Sequence, residues 1–537
     1  MKLDMLIRGG VVYDGVSQSG WLGDVGVRDG RIVLPAAAGR PGATAGFATG
    51  VQATRTIDAT GLAVFPGFID IHTHSEIAWL AWPNATSKLM SGCTTDVAGN
   101  CGGGAFPMAG EVRARRQADW DKHGLKIDWT DAAGYFARLE ATPCGVNRAV
   151  LVGHGNLRGV TVGYGNARPT PQEMSRMRER LAEGLRAGAF GMSTGLIYPP
   201  GIWADAEEIT ALVRVVAEHG GFYSSHIRGE GETLLEAVDE YMAALEAARC
   251  RGVLSHVKTA GRKNWHKIDA LRERFEAARA RGLQVLADRY PYTATCTGLS
   301  AMLLPRWAVE GTRRQVVARL KTPAERQRIE QEIRSGPDYA TIFDDILVIQ
   351  FRGRGFEALC GKSLTQIGRL RGQDPLSAAL DLLVEDGLGP EAVHFCMSED
   401  NLCEIYRWPW TIVGSDYSAR DAFSPGEMCH PRAFGTPAAF LGHFVRERKV
   451  CDLPTAARKL ATMAADLLGL HDRGRIAAGC WADLVVLDPS TIADRATYQE
   501  PCQTPVGIHH VLVNGVPAVE NGRYTGALAG HVLRKPH

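Results

Sequence analysis

Two histidines two residues apart, His72 and His74, close the run PGFIDIHTH. On an extended strand alternate side chains leave the same face, so both imidazoles point one way. After a run as apolar as VFPGFIDI, that pairing reads as metal ligation rather than as two separately satisfied core histidines. Further along, YSSHIRGE places His226, VLSHVKTAG places His256 and then Lys258, and WTIVGSD ends at Asp416. Four imidazoles and a carboxylate suit a divalent transition metal, zinc first, and exceed what one tetrahedral site needs. The stretch TTDVAGNCGGGAF adds Cys101. Alone it reads as a buried thiol beside a glycine turn. Between two cations, however, a thiol would lose its proton outright and could bridge them.

These residues need elements that bring them to one place. Short apolar runs alternate with amphipathic helices through the middle of the chain, the pattern of parallel strands with crossover helices. Strands are expected at 64–72, 94–100, 148–154, 190–193, 222–226, 252–257, 284–290 and 411–416. Eight is the number that closes a (β/α)8 barrel, whose active sites lie at the C-terminal strand ends. Thr170-Pro171-Gln172-Glu173 is a capping box with proline at the first helical position, leading into the stripe Met174, Met177, Leu181, Leu185. Further helices carry Ile209, Leu212, Val213 and Val216; Leu234, Val238, Met242 and Leu245; and Ile268, Leu271 and Phe275. The segment at about 296–400 is an insertion between strands seven and eight with helices of its own. Both chain ends instead read as short strands broken by turns, with Asn514-Gly515 a hairpin signal. The expected division is a small β-sandwich domain from 1–62 plus 475–537 and a metal-dependent hydrolase barrel over 63–474.

Composition narrows the partners. The chain of 537 residues carries 60 Lys+Arg against 59 Asp+Glu, a formal charge of +1. Such a balance gives no electrostatic case for a nucleic-acid or membrane-surface partner. The N-terminal MKLDMLIRGGVVYDG lacks the uninterrupted apolar run of a secretion signal, and no stretch approaches a membrane span. Its 12 cysteines include no C-x-x-C pair and read as reduced thiols, so a cytoplasmic protein is expected. Oligomeric state is left open.

The opening PGFIDIHTH followed by His, His and Asp after strands five, six and eight resembles the amidohydrolase superfamily. GNCG after strand two, with STGLIYPPG, SHVKTAG, GSD and HPRAFGT in order, is similar to its D-aminoacylase (N-acyl-D-amino-acid deacylase) branch, where a Cys is the bridging ligand. That resemblance implies one tight zinc site formed by Cys101, His226 and His256. A second, weaker site would lie near His72 and His74, sharing Cys101 and reaching Asp416. It further implies that Asp416 is the catalytic acid/base. Lys258 and Arg432 match the positions that hold the substrate carboxylate, while Tyr198, Tyr292 and Met397 match residues lining the pocket. Ala260 stands where the family often has Met, which enlarges the side-chain pocket. The implied activity is zinc-dependent deacylation of N-acyl-D-amino acids, by an activated water with Asp416 moving the proton. Two alternatives keep the same site: a dipeptidase for peptides with a C-terminal D-residue, and a cyclic-amide hydrolase. A non-catalytic barrel relative would have lost ligands, and none is missing here. His154 reads as a core or supporting histidine, Arg228 as an ion-pair partner of Glu230.

Overall fold

In a computed structural model the described residues are 1–39, 44–48, 50–336, 339, 342–423 and 428–536. The chain folds as a mixed α/β protein built around a series of parallel strands. The first, Phe68–Thr73, pairs with the second, Cys93–Ala98, and that with the third, Asn147–Val150. After Leu151 the third strand resumes at Val152–Gly153, where it pairs with the fourth, Gly191–Gly195. The fifth (Phe222–His226), sixth (Arg251–Leu254), seventh (Val285–Arg289) and eighth (Thr411–Val413) follow in order, every pair parallel. Beyond the eighth strand the Asp416 N–H donates to the His72 carbonyl at 2.7 Å. The two ends of the series therefore touch.

Period-two alternation sorts the side chains. Phe222 and Val253 join a cluster with Ile69, Ile71, Val97, Ala149, Leu151, Phe190 and Ile412. Their neighbours Tyr223 and Leu254 join the larger core that includes the helices. Each fully buried apolar side chain of this kind contributes about 1.5–3 kcal/mol, so a register slip in one strand would be costly on both faces. The expected helices form at Pro171–Arg186, Ala206–Glu218, Leu234–Ala248 and Ile268–Ala280. The Thr170 hydroxyl and Glu173 carboxylate make the reciprocal capping bonds.

Several expected strand boundaries need correcting, four of them at positions that bear on the site. The first run breaks at Gly67: Ala63–Pro66 joins another sheet, where it pairs antiparallel with Leu484–Leu487. A Cβ at Gly67 would lie 2.2 Å from Thr94 Oγ1, so only glycine lets the chain pass from one sheet to the other here. The third strand stops at Gly153, because His154 opens the helix His154–Thr161. The sixth and eighth end before His256 and Asp416, whose backbones are left-handed, at φ 35 and 53.

A nine-stranded sheet draws strands from both chain ends. Its strand Gln52–Asp58, too polar to stand out in the sequence, pairs parallel with Lys2–Val12. Asn514 and Gly515, at φ 51 and 81, turn the hairpin between Ile508–Val513 and Val516–Glu520. The segment after the seventh strand adds to its helices an antiparallel sheet in the order Ala294–Gly298, Glu391–Phe395, Ile346–Gln350, Lys362–Ser363, over its own apolar cluster. No helix among the described residues is long and apolar enough to cross a membrane.

Candidate metal centre

The ends of the first, second, fifth, sixth and eighth strands converge. Cys101 follows the second strand with φ 51, and Gly102 follows it with φ 74. A Cβ on Gly102 would sit 2.6 Å from the Gly195 amide nitrogen. That glycine is required by the close approach of two backbones next to the thiol. Cys101, His256 and Asp416 all occupy the left-handed region. It costs a non-glycine residue about 1–2 kcal/mol, and such strain persists only where surrounding contacts hold it. His256 is held by its N–H, which donates to Asp288 Oδ1 at 2.8 Å.

Two donor groups result, and Cys101 belongs to both. One comprises His72, His74, Cys101 and Asp416; the other comprises Cys101, His226 and His256. Cys101 Sγ lies 3.3 Å from His72 Nε2 and 3.4 Å from His256 Nε2. Asp416 Oδ1 lies 3.2 Å from His72 Nε2 and 3.0 Å from His74 Nε2. Both ring nitrogens of the buried His226 lack a hydrogen-bond partner. Glu230 Oε2 approaches its Nε2 only to 3.5 Å. An orphaned imidazole beside a thiol and a second imidazole fits a cation that accepts their lone pairs.

The protonation states tell the same story. Burial opposes the Cys101 thiolate, yet His72, His256 and His226 around it hold the thiol well below its ordinary range. Burial likewise opposes ionised Asp416, and Arg432, His72 and His256 outweigh it, holding the carboxyl well below the usual carboxylate range. Burial works against charged His72 and His74, but Asp288, Cys101 and Asp416 raise the first well above its usual value. Asp416 and Cys101 raise the second to about 9. Protons on the imidazoles thus balance anions at positions where a divalent ion would do the same.

Supporting residues were invisible in the sequence. His72 Nδ1 lies 2.9 Å from both oxygens of Asp288, a residue 216 positions away. His256 Nδ1 lies 2.9 Å from Glu230 Oε1. Such carboxylates fix the tautomer, turning Nε2 toward the centre. Glu230 is also the partner of the Lys258 ammonium, which lies 2.7 Å from His256 Nδ1. Arg228 therefore does not pair with Glu230 as expected. It forms a fork with Glu240 at 3.0 and 2.9 Å and donates to the carbonyls of Ile202 and Ala204. The i, i+4 spacing of His226 and Glu230 was the only signal for the true arrangement.

Arg432, 3% exposed, places Nη1 2.8 Å from Asp416 Oδ2 and donates through Nη2 to the Cys296 carbonyl at 3.2 Å. Its Nε and Nη1 complete no well-angled hydrogen bond. The Tyr198 ring stands edge-on to His226 at 5.0 Å, and its hydroxyl lies 3.0 Å from Thr297 Oγ1. The Tyr292 hydroxyl donates to Asp494 Oδ2 at 2.7 Å. Met397 packs on Tyr290 and Tyr292, its sulfur 2.8 Å from Arg289 Nη2. Tyr290, which the sequence did not single out, has the guanidiniums of Arg289 and Arg432 over its ring at 4.1 and 4.5 Å. His154 is engaged elsewhere, 2.8 Å from Glu208 Oε1.

The amidohydrolase family pattern matches residues 55–519. An N-acyl-D-glutamate deacylase of Alcaligenes xylosoxydans xylosoxydans is 36% identical over 516 residues, 96% of this chain and 93% of that one. The crystal structure of an N-acyl-D-glutamate deacylase from Bordetella bronchiseptica, complexed with zinc and a phosphonate mimic of the tetrahedral intermediate, superposes with a TM-score of 0.82. It is 34% identical and covers 99% of this chain and 100% of that one. A D-aminoacylase structure superposes at 0.81 with 32% identity, over 99% and 100% of the two chains. It is described by a binuclear metal centre with one-metal activation and second-metal attenuation.

Proposed function

The chain belongs to the amidohydrolase family, and from that premise we propose that it is a zinc-dependent deacylase of N-acyl-D-amino acids. It splits a linear amide into a carboxylate and a free D-amino acid. The observation that carries this reading is the sharing of Cys101 between two donor groups, one of which holds the orphaned His226. In this reading Cys101, His226 and His256 would hold the tight zinc ion, and His72, His74 and Asp416 with Cys101 would form a second, weaker site. The ion would supply an acidified water and polarise the scissile carbonyl, bringing the pKa of that water to about 7.

The chain's own residues do the rest. Asp416 is ionised and belongs to the first donor group, which shares Cys101 with the second; from there it accepts the proton of the attacking water and returns it to the departing amine. Arg432 and Lys258 take the substrate carboxylate, the guanidinium in fork geometry. Both are engaged in the free protein, by Asp416 and Glu230, so an incoming carboxylate must share them. Tyr198, beside His226, and the Tyr290–Tyr292 turn with Met397 shape the pocket wall.

The eight ordered parallel strands and the Asp416–His72 contact support a (β/α)8 barrel within the expected 63–474, with Ala63–Pro66 given over to the other sheet. The sheet drawn from both ends supports a small β-sandwich domain from 1–62 plus 475–537. Twelve free thiols support a cytoplasmic location. The test is amine release from paired N-acetyl-D- and N-acetyl-L-amino acids, with and without zinc, repeated on Lys258→Ala and Arg432→Ala. Release from the D-series with raised KM in both variants is expected. An unchanged KM in both would shift the reading to a cyclic amide, which needs no carboxylate clamp.

A further inference from the structure

The loop bearing Asp416 is fastened from beneath by a buried ammonium. Lys88, 1% exposed, lies on the short helix Thr86–Leu89 between the first and second strands. Its Nζ donates to Asp70 Oδ2 at 2.8 Å, Ser415 Oγ at 2.9 Å and the Tyr417 carbonyl at 3.0 Å. These three bonds use every hydrogen an ammonium has. Two of the three acceptors flank Asp416 in the chain. Asp70 completes the tie through its other oxygen, which accepts the Ser415 N–H at 2.9 Å, and the Tyr417 N–H donates to Ser415 Oγ at 3.2 Å. Between these two anchored residues Asp416 holds its left-handed φ of 53. That geometry delivers one carboxylate oxygen to His72 and His74 and the other to Arg432.

A buried ammonium is an expensive way to fill space, since its desolvation must be repaid by good acceptors. Burial does oppose its charge, but Asp70 at 2.8 Å and Asp96 at 4.0 Å overcome that and keep it protonated. An apolar side chain would fill the same volume without holding residues 415 and 417 to the first strand. We propose that Lys88 is a positioning residue for Asp416, pinning its loop to the first strand from both sides so that its carboxylate faces the metal centre. Lys88 itself touches none of the six candidate ligands. The inference rests on the reading of Asp416 as the acid/base.

The test compares Lys88→Met, of similar length but uncharged, with the milder Ser415→Ala, which removes one acceptor. Both are assayed for kcat, KM and zinc content, and both are crystallised. A displacement near 1 Å at a reacting group can cost about 100-fold in rate. The expected result is kcat down about 100-fold in Lys88→Met and about tenfold in Ser415→Ala, with KM within threefold and zinc retained. In the crystals Asp416 leaves the left-handed region or its oxygens move. A folded Lys88→Met with kcat within twofold of wild type, or with Asp416 unmoved, overturns the proposal. If Lys88→Met does not fold, Ser415→Ala decides by the same two readouts. Absence of wild-type turnover on N-acyl-D-amino acids would refute the functional reading instead, and the position of Asp416 in the variants would still judge Lys88.

Discussion

Asp288→Ala tests the architecture of the centre at one atom pair. The Asp288 carboxylate accepts from His72 Nδ1 at 2.9 Å and from the His256 N–H at 2.8 Å, and both partners are buried. Removing it strands two donors. A buried donor left unsatisfied costs about 1–3 kcal/mol, so the metal-free protein should lose about 2–6 kcal/mol, toward the lower end if water enters the vacated space. The His72 ring loses the partner that fixes its tautomer, and the His256 backbone loses a bond holding it at φ 35. Loss of an outer carboxylate of this type weakens metal binding by about 10–100-fold, here at the weaker site that His72 would serve. Competition against a chelator measures that change directly, and thermal unfolding of the stripped protein measures the other. Asp288→Asn keeps a carbonyl acceptor in nearly the same volume, so it should fall between alanine and wild type. A folded Asp288→Ala that binds its second, weaker zinc within threefold of wild type would show that Asp288 does not organise the centre.

Cys101→Ala should abolish tight zinc binding, because both donor groups lose their common member; stoichiometric zinc in the purified variant would return Cys101 to the core. Glu230→Gln loosens the His256 ring and releases Lys258, so zinc affinity should drop about tenfold while KM for a carboxylate substrate does not rise. His74 in the metal-free protein has its pKa raised from 6.5 to about 9 by Asp416 and Cys101, against burial. Its ion pair therefore stabilises fully below pH 6.5 and is lost as pH rises through about 9. The Tm of stripped protein should decline across that window relative to zinc-loaded protein, and parallel pH profiles of the two forms would contradict the assignment. Asp494→Ala frees the Tyr292 hydroxyl from its 2.7 Å bond. It should raise KM severalfold with kcat little changed, whereas equal constants would mean that Tyr292 does not shape the pocket.

The types and order of the candidate donors were legible because chemistry restricts them. Metal donors must be His, Cys or carboxylate, and each stood at the end of an apolar run that the period-two pattern marked as a strand. His72, His226, His256 and Asp416 could thus be gathered from sequence, as could the capping box at Thr170 and the hairpin at Asn514-Gly515. What resisted reading was every choice made across long chain separations. Arg228 has a carboxylate two residues away and pairs with Glu240 instead, because Glu230 is drawn to Lys258 and His256. Asp288 and Lys88 look like an ordinary strand-end acid and a helix lysine, yet each serves residues hundreds of positions distant. Spacing reports which residues share a face, since that follows from backbone periodicity alone. Which acceptor a buried charge finds depends on the strands that fold up beside it. Once water is excluded, every donor must have a partner, and only the assembled tertiary structure decides which one.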